Sequence, residues 1–97
     1  MVQPNECTSL DEVRKQIDRI DEQIMVLFGE RFQFVKEVTK YKKSDTDSII
    51  AHERRAKVLQ RIRQLAEQNN LNPDEFEKMY ENLIEHFIQE EIKLVNK

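Results

Sequence analysis

The chain has 97 residues, enough for one domain, residues 1–97, with one modest core. Charged residues make up 36% and hydrophobic residues 38%, and the apolar positions recur too regularly for a disordered segment. A net charge of −3 with no basic block argues against a nucleic-acid surface, and one Gly and two Pro argue against a turn-rich β fold.

The N-terminal stretch "MVQPNECTSLDEV" has neither the basic start nor the apolar run of a secretory signal. No apolar stretch approaches the roughly 20 residues of a membrane span. Cys7 is the only cysteine, which excludes an intramolecular disulfide and fits a reducing compartment. A cytoplasmic location is the expectation.

Ser9, with Glu12 three residues on, makes a capping box and marks a helix start. From there the apolar positions run Leu10, Val13, Ile17, Ile20, Ile24 and Leu27, pass through Arg31, and continue at Val35 and Val38. Spacings that alternate between three and four predict a helix packed along one face. The polar stretch "KYKKSDTDS" ends it, so helix 1 is expected over about residues 9 to 42. A second helix is expected from about Ile50 to Gln68, with Val58, Leu59, Ile62, Leu65 and Ala66 on its apolar face. "NNLNPDEF" ends that helix and begins the next, with Asn72 as N-cap, Pro73 as first helical residue, and Asp74 and Glu75 at the positive end of the dipole. Helix 3 then runs to about Val95, carrying Phe76, Tyr80, Leu83, Ile84, Phe87, Ile88 and Ile92. The expected fold is all-α: three helices, the first of them long.

Helix length has a consequence. Thirty-four residues at about 1.5 Å each span roughly 50 Å, whereas a compact chain of this size is about 32 Å across. Helix 1 would overhang a monomer and leave apolar surface in water. A homodimer in which the long helices pack on each other removes that cost.

Several charges sit on core-facing stripes. Arg31 occupies a seam position, and Lys42, eleven residues later, points the same way. Arg14 is seventeen residues before Arg31, roughly 25 Å along the axis and about 100° around it. One small ligand reaches both only if Arg14 comes from a partner's antiparallel helix. Arg54 borders the apolar face of helix 2, and Glu91 lies on the apolar side of helix 3 beside Ile92. Each of these residues alone has an ordinary reading. A seam arginine is commonly paired inside a bundle or snorkels to solvent, and a lysine at a helix end commonly serves the dipole. Together, excess positive charge converging on a bundle interior suits an anionic ligand, above all a dicarboxylate, which Arg grips in bidentate fashion. His52 and His86 lack metal-ligand spacing, nothing near Cys7 would activate its thiol, and Met25 and Met79 read as core fillers. No nucleophile or phosphate-binding Gly loop stands out, so neither a cofactor nor a metal is expected.

With these residues in place, the chain resembles the all-helical chorismate mutase family over nearly its whole length. "VRKQIDRIDEQIMVLFGERFQFVKEVTKYK" resembles the family's long first helix, with its R-x-x-I-D-x-I-D start. "PNECTSLDEVRKQIDRID", "FGERF" and "LNPDEFEKMYENLIEHFIQEEIK" look most similar to the isochorismate-pyruvate lyases of siderophore salicylate synthesis. The resemblance implies an intertwined homodimer with two sites. Each uses Arg31, Lys42 and Arg54 from one chain and Arg14 from the other to bind isochorismate or chorismate. Arg14, Arg31 and Arg54 bind substrate, while Lys42 and Glu91 act on the ether oxygen. It also implies a pericyclic reaction, and a lid formed by the polar loop from Lys43 to Ser48.

Two departures from the family pattern bear on activity. Typical mutases carry an acidic residue directly after the helix-2 arginine, where "HERRAKVL" has Arg55; the lyases lack that acid too. Both branches usually place Gln where this chain has Glu91. A Gln amide donates a hydrogen bond to the ether oxygen, and so does a neutral carboxyl, but a carboxylate cannot. An acid-shifted activity optimum is therefore expected. The competing expectations are a plain chorismate mutase and a non-enzymatic helical interaction module whose charges pair internally.

Overall fold

The computed structural model describes residues 3–41 and 46–95, with the side chains of Thr39, Glu91 and residues 46–51, 94 and 95 left outside that description. Described in chain order are a 3₁₀ turn at Pro4–Glu6, helix α1 at Leu10–Val38, a 3₁₀ turn at Thr39–Tyr41, helix α2 at Thr46–Gln68 and helix α3 at Pro73–Val95. No strand occurs among the described residues, and the fold is all-α with a long first helix, as expected. The chain divides into two compact units, Met1–Phe34 and Val35–Lys97.

In the first unit the start of α1 is fixed by side chains. Ser9 Oγ accepts the backbone N–H of Glu12 at 3.2 Å, which is half of the expected capping box. The other half is shifted by one residue. Glu12 Oε2 accepts the backbone N–H of Thr8 at 2.7 Å and the Thr8 hydroxyl at 3.1 Å, rather than returning to Ser9. Asp11 and Glu12 also place negative charge in the first turn, where the helix dipole favours it. The 29 residues of α1 give it a length of about 43 Å. Its α-helical part stops at Val38 and the chain tightens into the 3₁₀ turn through Tyr41, a common way to satisfy the last carbonyls.

The apolar stripe of α1 is exposed in this chain. Val13, Ile17, Ile20, Ile24 and Leu27 all keep substantial accessibility, Leu27 as much as 61%. Phe28, Arg31 and Phe32 are half-buried. Met25, expected as a core filler, is 67% exposed. Its position follows from rotation: five residues after Ile20 it stands about 140° away from that residue, outside the seam.

In the second unit, α2 and α3 form an antiparallel hairpin. α2 begins at Thr46, four residues before the expected Ile50. The Thr-Asp-Ser run read as loop is also the composition of a helix start, which is why the boundary was misplaced. The C-terminus of α2 closes in a Schellman motif. Leu71 donates its N–H to the Ala66 carbonyl at 2.8 Å, and Asn70 donates to Glu67 at 3.2 Å. Asn70 takes φ 61°, the left-handed conformation that this motif requires and that Asn tolerates better than most residues. Asn72 then caps α3 as expected, its Oδ1 accepting the N–H groups of Asp74 at 2.9 Å and Glu75 at 3.2 Å.

The described core of the hairpin is small. Among the described residues Ala66, 3% exposed, and Phe87, 9% exposed, are buried, flanked by half-buried Val58, Leu59, Ile62, Leu65, Phe76, Tyr80, Leu83, Ile84 and Ile88. Met79 is exposed rather than core. It is one residue before Tyr80 and thus about 100° off the packed face.

Candidate active site

Arg14 and Arg31 share α1. Arg14 is exposed near the start of the helix and Arg31 is half-buried four residues after Leu27. Seventeen residues put them roughly 25 Å apart along the axis and about 100° around it, so one copy of this helix cannot present both to a small ligand. Arg54 is exposed on α2, in the second unit. Lys42 lies outside the described residues, and so does the side chain of Glu91, whose backbone belongs to α3. Of the expected lid, residues 46–48 are the first turn of α2 rather than loop, and residues 43–45 lie outside the described residues.

The residue that departs from the mutase pattern has a partner. Arg55 Nη1 donates to Glu85 Oε2 on α3 at 3.2 Å. Farther along the hairpin, Arg63 Nη1 donates to Asp74 Oδ1 at 2.7 Å and to Glu77 Oε2 at 2.8 Å. The hydrogen bond to Asp74, and then that to Glu77, raises the Arg63 pKa above the usual arginine value. These two arginines clamp α2 to α3 at positions 30 and 11–14 residues apart in sequence. Arg54, by contrast, has no hydrogen bond or ion pair among the described residues. The pairing of Arg55 was not foreseen, although a signal was present: Arg55 falls four, seven and eleven residues before Leu59, Ile62 and Ala66, on the face that packs against α3.

His52 and His86 are exposed, and Cys7 is half-buried. Among the described residues no three His, Cys, Asp or Glu side chains are grouped to hold a metal ion, and no helix is long and apolar enough to cross a membrane.

A family model for chorismate mutase type II matches residues 13–92, from the first turn of α1 nearly to the end of α3. The chain belongs to the chorismate mutase type II family. The matched range contains all five of Arg14, Arg31, Lys42, Arg54 and Glu91. This is a family of enzymes that act on chorismate-like small molecules. The chain is similar to an isochorismate pyruvate lyase from Pseudomonas aeruginosa, 37% identical over 93 residues that cover 96% of this chain and 91% of that protein. It is also similar to a chorismate mutase from Methanocaldococcus jannaschii, 36% identical over 77 residues covering 79% of this chain and 78% of that one.

Proposed function

We propose that this chorismate mutase type II chain is an isochorismate-pyruvate lyase with weak chorismate mutase activity, acting in siderophore salicylate synthesis in the cytoplasm. Near-full-length identity of 37% to a lyase carries this reading, and Arg55 supports it, standing where mutases have an acid. The active form is an intertwined homodimer, each chain a single helical domain over residues 1–97. The exposed stripe from Val13 to Leu27 supports a second copy, because an apolar face along some 20 Å of helix is costly in water.

Each site takes Arg31, Lys42, Arg54 and Glu91 from one chain and Arg14 from its partner. Arg14 and Arg31 hold the substrate carboxylates, and Arg54 supports the ring side. Confinement brings the enolpyruvyl ether into a compact reactive conformer. Lys42 and neutral Glu91 stabilise the negative charge that develops on the ether oxygen. Hydrogen transfer from the ring to the enolpyruvyl methylene, with cleavage of the C–O bond, gives salicylate and pyruvate. The same pocket permits rearrangement of chorismate to prephenate. A chorismate mutase with prephenate as its main product is the second reading, favoured by the 36% identity to a mutase.

Parallel assays with isochorismate and with chorismate, at about pH 5 and about pH 7.5, separate the readings. Fast salicylate formation with slow prephenate formation is expected. Prephenate alone makes the chain a mutase. No product from either substrate, with Arg31→Ala lowering stability only, makes it an interaction module.

A further inference from the structure

The packing face of α2 ends in a charge. Arg55 continues the face formed by Leu59, Ile62 and Ala66, one turn toward the N-terminus. At that position an apolar side chain would extend the seam. Instead the Arg55 guanidinium crosses to α3 and donates to Glu85 at 3.2 Å, the two side chains keeping 31% and 55% of their accessibility. The residue before it, Arg54, is about 100° around the helix, exposed, and without a bonded partner among the described residues.

Two adjacent guanidinium groups therefore differ in what they can do. Arg55 is paired across the hairpin, and Arg54 has no bonded partner among the described residues. A dicarboxylate arriving at Arg54 would find in a released Arg55 a second planar fork of equal chemistry one residue away. Bound there, the substrate is held in a register displaced from the rest of the site. The Glu85 carboxylate removes that competitor by occupying it.

We infer that Glu85 is a positioning residue: it holds Arg55 against α3 and so reserves Arg54 as the cation that meets the substrate. This role rests on the assignment of Arg54 to substrate binding. Glu85 touches no substrate atom, and its effect passes through Arg55. Loss of the Glu85 charge releases a competing carboxylate site, and nonproductive binding lowers kcat and KM by the same factor, leaving kcat/KM unchanged. Exposed ion pairs of this kind set the scale at roughly three- to five-fold in each constant.

The test uses Glu85→Gln, Arg55→Gln and the double variant, with steady-state constants on isochorismate and a thermal melt for each. Expected are a parallel fall of kcat and KM in Glu85→Gln, unmodified constants in Arg55→Gln, and restored constants in the double variant. A Glu85→Gln protein with unmodified constants overturns the inference. So does a fall in kcat with KM constant or raised, a double variant that stays impaired, or a loss tracking a lowered melting midpoint. Turnover by the unmodified protein separates the two levels. If it converts neither isochorismate nor chorismate, the functional reading falls and this role with it. If it turns over and the variants miss the pattern, only the role of Glu85 falls.

Discussion

Arg63 on α2 donates to Asp74, the second residue of α3, at 2.7 Å, and so ties the end of one helix to the start of the next. The same nitrogen reaches Glu77 at 2.8 Å. Arg63→Ala should lower the melting midpoint slightly, and the difference should shrink in molar salt, because the pair is exposed and screened. The pH dependence has a definite sign. A raised arginine pKa gives stability that is present below the unfolded value and is lost only as pH rises through the folded one. Both lie far into alkali, so deprotonation of Arg63 contributes no change in stability between mildly acid and mildly alkaline solution. Melts of Arg63→Ala and the unmodified chain across that range check this.

The turn between α2 and α3 makes a sharper demand. Asn70 at φ 61° should be replaceable by Gly with no loss, while Asn70→Ala should cost about 1 kcal/mol, since a Cβ is disfavoured there. Asn72→Ala removes the acceptor for two backbone N–H groups and should also cost about 1 kcal/mol, a midpoint drop of roughly 4–8 °C. Urea titrations of the three variants measure these differences.

The seam of α1 predicts the assembly state. Ile20→Glu puts a charge in the middle of the exposed apolar stripe and should convert the proposed dimer to a monomer in sedimentation experiments. Gly29→Ala is the matched control. Gly29 is nine residues after Ile20, about 180° around the helix, and a Cβ there would meet nothing within 4 Å. It should keep the assembly state and gain about 0.5–1 kcal/mol, the cost of Gly in a helix interior.

On the proposed chemistry, Lys42→Ala should lose about 10²- to 10³-fold in kcat while the assembly state is unchanged, as expected when a donor to a developing oxyanion is removed. Near-normal turnover would show the ether-oxygen role to be wrong. Glu91→Gln should flatten the pH profile of kcat, because an amide donates its hydrogen bond at every pH whereas a carboxyl donates only when neutral. A flat profile in the unmodified enzyme between acid and neutral pH would sink the assignment of Glu91.

What could be read along the chain was what is decided within a few residues. The helix starts at Ser9 and Asn72, the stop after Gln68 and the one-sided stripe of α1 all depend on neighbours in sequence, through capping bonds, dipole charge and the 3.6-residue repeat. The charged positions proposed for the site were marked for the same reason: Arg31 and Glu91 stand out in the sequence because they interrupt a regular apolar period. Where two local signals conflicted, as at Thr46–Ser48, whose residue types suit both a loop and a helix start, the boundary slipped. Other outcomes depended on residues far apart. Rotation about each helix axis put Met25 and Met79 outside the packed faces. The partners of Arg55 and Arg63 are 30 and 11–14 residues distant, and nothing local selects Glu85 over the other carboxylates of α3. Composition and periodicity thus determined the helices and marked the unusual charges, whereas the packing of α2 on α3 decided that Arg55 and Arg63 meet carboxylates of α3. Ion pairs need proximity in space, and only the folded hairpin brings those groups within reach.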